Sequence, residues 1–198
     1  GSGAIRSYNL GPVVLYSDFT ECFPYDEAVY MLPVTGEQLT RMIKRFLREE
    51  AFTGEHTEFY QLSQGMHVVW SRSGQCFKEL TLDGKPLGAQ QIYKIGLCKY
   101  HYSSLKPFLD ITLEEAEANG RVRVLATSYR DVIEEYFMTH QHLKRELEGR
   151  LMHPSRIQET PLGSLVADAL QESLGIDIML MGSGAIRSYN LGPVVLYS

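Results

Sequence analysis

The chain carries the same segment at both of its ends. Residues 1–17 read GSGAIRSYNLGPVVLYS, and residues 182–198 repeat this sequence without a change. A solenoid shows several diverged copies at a short period, whereas two perfect copies this far apart resemble a window cut from a head-to-tail concatenation of one domain. Engineering or a very recent duplication explains the identity better than a functional repeat does.

One folded domain has a single place for this segment, and either copy, or a crossover between the copies, could fill it. The displaced copy would leave unpaired strand edges and exposed apolar side chains, which favour strand exchange with a second chain. We therefore expect a domain-swapped homo-oligomer.

Length and composition fit one globular domain. The chain has 198 residues, of which 44% are apolar and 22% charged, as in ordinary globular domains. The formal net charge of -5 argues against a nucleic-acid polymer as partner, but not against a single nucleotide. No apolar run approaches the roughly 20 residues that span a bilayer, so no membrane partner is expected. Three cysteines are too few for a disulfide framework and are expected to be mostly buried thiols.

Caps and periodicity predict three helices among several strands. The helices begin at Thr35 (running to about Glu50), after Ser128, and at Thr160-Pro161 (ending near Gly175). Apolar runs predict strands at 13–16, 29–34, 67–71, 77–82, 91–97, 122–126 and 176–181. Because strands and helices do not alternate strictly, the predicted fold class is mixed α/β (α+β), a single domain with a mixed sheet and flanking helices.

No metal-binding or catalytic motif stands out. His140 and His142 form an HxH pair, but the sequence contains no D-x-H, G-D-x-x-D or G-N-H-[DE] motif to accompany it. Two-metal phosphoesterase chemistry holds its ions about 3.5–4 Å apart and needs a full set of such ligands. We therefore predict a solvated helix end at these histidines, no metal site and no catalytic residue. G-x-S-x-G and Walker A motifs are also absent from the sequence.

A family resemblance emerges when the C-terminal third is read before the N-terminal third. The E-T-x-L-G-x-L-x-A-D-A helix matches residues 159–169, and the D-I-x-L-x-[NG]-[GS]-G-x-I-R element matches residues 177–187. The F-P-[YF] turn then lies at 23–25 and the T-G-x-x-L helix start at 35–39. Two later strands match residues 64–71 and 91–97, and the chain end matches residues 148–150. In this order the chain resembles the C-terminal domain of the 5′-nucleotidase family. The resemblance covers nearly all of the unique sequence.

The resemblance implies a circular permutant of that domain. Residues 1–150 correspond to its C-terminal two-thirds, residues 151–158 to a joining linker, and residues 159–198 to its N-terminal part, with 182–198 duplicating 1–17. Permutation is tolerated when the original termini lie close together.

The resemblance also implies a nucleoside clamp made of two aromatic rings. Tyr25 stands where the family places one ring. The second ring normally belongs to an N-G-G-D-G-F loop, which this chain replaces with residues 99–108. Phe108 is the first candidate and Tyr102 the second, and core packing of Phe108 remains an equal alternative. Each ring stacked on a base contributes about 1–3 kcal/mol.

Polar candidates complete the implied site. Arg187, or its duplicate Arg6, occupies the family's I-R arginine and would contact sugar or base; an ion pair with a carboxylate such as Asp168 is the alternative. Arg156 would reach a ribose or phosphate. Asp110 would accept a bond from a ribose hydroxyl, although a loop or cap role is favoured over this. Gly182 replaces the family's common Asn and so removes a side-chain amide.

These features predict a nucleotide- or nucleoside-recognition domain that is not an enzyme by itself. The resemblance implies that divalent metal ions and phosphoester hydrolysis belong to the metallophosphoesterase domain of a parent 5′-nucleotidase, a bacterial protein that is secreted, periplasmic or at the cell surface. No cofactor is expected in this domain. The alternative is an engineered domain-swapping or assembly module in which ligand binding is incidental.

Overall fold

The computed structural model describes residues 20, 22–52, 60–139 and 160–182. Six α-helices and eight strands lie within these ranges. The helices are α1 (Gly36–Phe46), α2 (Lys99–Tyr102), α3 (Leu105–Leu109), α4 (Leu113–Glu117), α5 (Tyr129–Thr139) and α6 (Pro161–Leu174). The strands are β1 (Val29–Thr35), β2 (Tyr60–Leu62), β3 (Met66–Ser71), β4 (Cys76–Leu82), β5 (Lys85–Pro86), β6 (Ile92–Cys98), β7 (Arg123–Ala126) and β8 (Ile178–Gly182). A 3₁₀ turn, Glu49–Phe52, follows α1.

The main sheet is mixed and has the strand order β2-β8-β6-β1-β7. Strand β8 runs parallel to β6 and antiparallel to β2, and β1 is antiparallel to both β6 and β7. Strands β3, β4 and β5 form a separate antiparallel sheet. The mixed α+β class with flanking helices is therefore confirmed.

Helices cover both faces of the main sheet. Because side chains alternate along a strand, Met179 and Met181 of β8 join the cluster with α5 and α6, while Ile178 and Leu180 join the cluster with α1. All five residues of β8 are buried. This explains why the strand is continuously apolar, as strands covered on both faces usually are.

Capping residues fix the helices that the sequence predicted. The Thr35 hydroxyl accepts a bond from the Gln38 amide, and the Gln38 side chain accepts one from the Thr35 amide. The Thr160 hydroxyl caps α6, and Gly175 ends it in the left-handed region at φ 62°, where glycine avoids a Cβ penalty. Helix α1 ends at Phe46, so the extension to about Glu50 was wrong; residues beyond Leu47 turn into the 3₁₀ segment.

Some predicted features lie outside the described residues or differ from the prediction. The strand at 13–16, the linker at 151–158, the duplicated ends other than Gly182, and His140 with His142 lie outside them. Cys22 and Cys98 are buried as expected, but Cys76 is exposed because it begins β4 after a surface turn. Among the described residues, no helix is both long and apolar enough to cross a membrane.

Candidate functional site

One end of the main sheet gathers the segments on which the predicted rings lie. Val29 at the start of β1 pairs with Cys98 at the end of β6, so the 23–28 turn and the 99–108 segment meet there. Strand β8 ends at the same edge, because Leu180 is in parallel register with Leu97. Chain topology therefore brings Tyr25 and the aromatic segment to the edge where β8 ends at Gly182.

The turn that carries Tyr25 is held firmly at its base. Phe23 is fully buried and packs edge-to-face on Tyr129, with ring centroids 6.2 Å apart. The Arg130 guanidinium donates two hydrogen bonds to the Phe23 carbonyl, from Nε at 3.1 Å and from Nη2 at 2.6 Å. Tyr25, two residues later, is 54% exposed. A large aromatic side chain on a fixed backbone is thus presented to solvent.

Glu27 and Ala28 join this turn to the helices beside it. The Glu27 carbonyl accepts a bond from the Tyr129 amide at 3.0 Å, and the Ala28 carbonyl accepts one from the Lys99 amide at 2.9 Å. The Glu27 carboxylate accepts a bond from the Tyr100 amide at 2.8 Å. The same two residues therefore contact both α5 and α2.

The aromatic segment packs as a group of rings. Phe108 is half-buried and lies 5.5 Å from Tyr100 and 5.6 Å from His101, measured between ring centroids. Tyr100 is 48% exposed. Tyr102 instead stacks on Tyr30, with centroids 3.9 Å apart and planes 5° from parallel. Tyr100 was not singled out by sequence reasoning; its aromatic type within the replaced loop was the available signal.

His101 is a neutral group beneath these rings. Its side chain is nearly fully buried, and burial lowers its pKa to about 4. Neither of its ring nitrogens has a hydrogen-bond partner among the residues that the structure describes. The Tyr60 ring also packs on it, with ring centroids 4.9 Å apart. The imidazole therefore contributes packing under Phe108 and Tyr100.

Burial shifts the other ionisable groups at this edge as well. Burial raises the pKa of Glu27, and this outweighs the opposing effects of the Tyr100 amide and Lys99. Burial likewise raises the pKa of Cys98 and of Tyr129, each raised further by the Glu27 charge. The thiol and the phenol thus stay protonated at neutral pH.

Asp110 ends α3 in the left-handed region, at φ 54°. Its carboxylate accepts a bond from Lys106 Nζ at 2.6 Å, and its carbonyl accepts one from Arg41 Nε at 2.9 Å. The bond from Lys106 lowers the pKa of the Asp110 carboxyl, and Arg41 and Arg45 lower it further. These contacts are those of a helix cap with its counter-ions.

The structure does not describe the three arginines that are the remaining candidates for the site. Arg6, Arg156 and Arg187 lie outside the described residues. Asp168, the alternative partner for Arg187, accepts a bond from the Gln64 amide at 2.7 Å. No group of three or more His, Cys, Asp or Glu side chains that could hold a metal ion occurs in the part of the chain that the structure describes.

Comparison with known proteins identifies the family. The family model described as "5'-nucleotidase, C-terminal domain" matches residues 2–107, which is more than half of the chain. The matched range contains Tyr25, Glu27, Tyr100 and Tyr102 and ends one residue before Phe108. No curated protein matches the chain. With its mixed sheet, flanking helices and this match, the chain belongs to the 5′-nucleotidase C-terminal domain family.

Proposed function

We propose that this chain recognises a nucleoside or nucleotide by stacking the base between Tyr25 and the ring of Phe108. The observation that carries the proposal is that the braced turn bearing the exposed Tyr25 is hydrogen-bonded, at one end of the sheet, to the segment that bears a cluster of aromatic rings. Every nucleobase has two π faces, so a base of any kind can stack on aromatic side chains.

The choice of second ring follows from the packing. Phe108 and Tyr100 contact each other, and Tyr100 is exposed, so this pair supports Phe108 from the side and extends the apolar surface. Tyr102 is the weaker candidate because one face of its ring is already covered by Tyr30. The stacking role of Phe108 competes with its packing on His101 and against the core cluster that contains α1.

Polar recognition falls to the arginine of the motif that follows β8 and to an arginine that precedes α6. Arg187, or Arg6 in the first copy, offers a planar set of donors to a sugar or base, and Arg156 offers the same to a ribose or phosphate. A hydroxyl contact by Asp110 is the least favoured of these, because Lys106 already binds its carboxylate.

The proposed role is recognition without phosphoester chemistry. The motifs that hold two metals in the family's hydrolases do not occur in the sequence, and in the parent enzyme divalent metal ions and hydrolysis belong to a separate domain. Binding of a mononucleotide to this chain is therefore expected to be weaker than about 1 μM, because no metal ion supplements the stacking energy.

Equilibrium binding of adenosine, AMP and 2′,3′-cyclic AMP tests this function. Tyr25→Ala and Phe108→Ala should each weaken binding by about 1–3 kcal/mol, because each removes one stacking face. Tyr25→Phe should preserve binding, since it keeps the ring. Val69→Ala, at an exposed position of the separate sheet, is the control. Unchanged binding in both alanine variants would exclude the clamp.

We also infer a circular permutation, supported by the order of the family's motifs, in which the segments at 159–169 and 177–187 belong before the turn at 23–25. Strand β8 and helix α6 come from the C-terminal segment, yet β8 lies between β2 and β6 in the sheet. An assembly module in which ligand binding is incidental remains the second candidate. The buried strand β8 leads directly into the second copy of the repeat, and the place of this segment in the fold could be filled by that copy, by the first copy or by a copy from a neighbouring chain.

A further inference from the structure

We propose that Glu27 is a positioning residue that locks the Tyr25 turn to the aromatic segment, so that the two rings of the clamp move as one unit. This inference rests on the proposed function and adds a residue to it. Its basis is one bond that spans 73 positions of sequence, from the Tyr100 amide to the Glu27 carboxylate, at 2.8 Å.

The bond closes a short path between the two rings. Tyr25 lies two residues before Glu27 on the same turn. On the other side, Tyr100 contacts Phe108 at 5.5 Å. A displacement of α2 would therefore break the Glu27 bond and move Tyr100, and Phe108 with it, relative to Tyr25.

Main-chain hydrogen bonds attach the residues just before β1 to the neighbouring helices, and the Glu27 side chain adds a further hydrogen bond to α2. The Ala28 carbonyl binds the first residue of α2 through the Lys99 amide. The carboxylate adds the next amide, that of Tyr100. Two consecutive amides of this short helix are thus bound by consecutive residues of the Tyr25 turn, which fixes the orientation of the helix as well as its position.

Space filling alone would not require a carboxylate here. The side chain is half-buried near the buried Cys98 and Tyr129, with Asp26 as a like charge and Lys99 as an opposite charge nearby. Removing a carboxylate from water is unfavourable, and a medium-sized apolar residue would fill the space without that cost. A charged acceptor binds an amide more strongly than a neutral one does, which explains its presence if the bond to Tyr100 matters.

Four variants separate the bond from the charge. Glu27→Ala removes the acceptor, Glu27→Gln keeps an acceptor oxygen without charge, and Glu27→Asp keeps the charge but withdraws it by one methylene. Glu135→Ala, at an exposed position of α5, is the matched control. Glu27→Asp carries the test if Glu27→Ala does not fold.

Amide hydrogen exchange measures the bond without any ligand. The Tyr100 amide should exchange at least about tenfold faster in Glu27→Ala and in Glu27→Asp than in the wild type, because an exposed amide loses its acceptor. Glu27→Gln and Glu135→Ala should retain its protection. Unchanged Tyr100 protection in folded Glu27→Ala or Glu27→Asp would overturn the proposal.

Adenosine binding then measures the coupling. Glu27→Ala should weaken binding about tenfold, which corresponds to about 1.4 kcal/mol, and Glu27→Gln should restore most of it. In a Tyr25→Ala background, Glu27→Ala should have little further effect, because only one ring remains to be positioned. Fully additive losses would contradict the coupling. Absence of adenosine and AMP binding by the wild-type chain would contradict the proposed function, whereas the Glu27 bond is tested separately by exchange of the Tyr100 amide, which needs no ligand.

Discussion

At the scale of single residues, burial acts on an acid and a base in the same aromatic region. It disfavours the charged form of each, so the pKa of Glu27 rises and that of His101 falls to about 4. The two groups differ in what they bind: the Glu27 carboxylate accepts a bond from Tyr100, while His101 is surrounded by the rings of Tyr60, Tyr100 and Phe108. The Glu27 carboxylate therefore holds α2 through a hydrogen bond, whereas the His101 ring contributes packing.

The buried imidazole predicts a specific pH dependence of stability. The unfolded chain protonates His101 near pH 6.5, but the folded chain does so only near about 4. Stability from this residue is therefore present above pH 6.5 and is lost as the pH falls towards 4, at up to about 1.4 kcal/mol per pH unit. His101→Phe should show a smaller loss of unfolding free energy between pH 7 and 4.5, measured by urea denaturation.

A control at a second histidine isolates the effect. His67 lies on β3 with an exposed side chain, so His67→Gln should keep most of the wild-type slope of unfolding free energy against pH. If His101→Phe and the wild type show the same slope of unfolding free energy against pH, the His101 side chain is not a buried neutral group in the folded chain.

Whether the sequence alone can reveal a site residue depends on how far along the chain its contacts lie. Tyr25 belongs to a local F-P-Y motif, and its presence on a turn follows from neighbouring residues. Glu27 acts through a contact with Tyr100, 73 positions away, and nothing local distinguishes it from a surface acid. Likewise, the stacking of Tyr102 on Tyr30 requires knowledge of how β1 and α2 pack.

At the scale of elements, long capped helices were predictable and short ones were not. Helix α6 begins and ends where Thr160, Pro161 and Gly175 indicated. Helices α2, α3 and α4 have only four or five residues each, too few for an apolar stripe to repeat. The three-residue strand β2 was also missed, and its pairing with β8 depends on sequence 118 positions or more away.

Helix α6 docks on β2 through a close contact at Gly163. The Gln61 side chain is buried and its Oε1 accepts a bond from the Thr160 amide at 2.9 Å. A Cβ placed on Gly163 would overlap the Gln61 side chain. The glycine therefore provides room for the residue that holds the start of the helix.

Replacing this glycine should destabilise the fold despite the better helix propensity of alanine. Gly163→Ala is expected to lower the unfolding free energy by about 1–3 kcal/mol, because overpacking forces Gln61 to move. Ser173→Ala, at an exposed position of the same helix, should be neutral or slightly stabilising. Chemical denaturation measures both, and a Gly163→Ala variant as stable as the Ser173→Ala variant would contradict the contact.

At the scale of the whole molecule, the sheet depends on a strand from the far end of the chain. Strand β8 contributes buried residues to both faces and separates β2 from β6. Periodicity predicted that this strand exists but not where it inserts, because an apolar strand buried on both faces carries no information about its neighbours. Because β8 lies inside the sheet and ends at Gly182, the first residue of the second copy of the repeat, that copy is the segment whose exchange with a neighbouring chain would matter for assembly.

The duplication therefore leads to a prediction about exchange between chains. If one place accepts either copy, the fraction of the full chain in dimers or larger species should rise with its concentration, because the displaced copy can pair with a neighbour. Deleting residues 1–17 leaves one copy for that place, so this variant should fold and exchange less. Deleting residues 183–198 should have the same effect through the other copy, whereas deleting both should lower the unfolding free energy.

Light scattering after size-exclusion chromatography, over a series of chain concentrations with and without AMP, measures this exchange. Assembly that depends on the duplicate should not respond to nucleotide, whereas assembly driven by ligand binding should. A strictly monomeric full chain at high concentration would contradict strand exchange. An oligomer unchanged by either single deletion would instead point to an interface that does not involve the repeat, because only the number of competing copies differs between these variants.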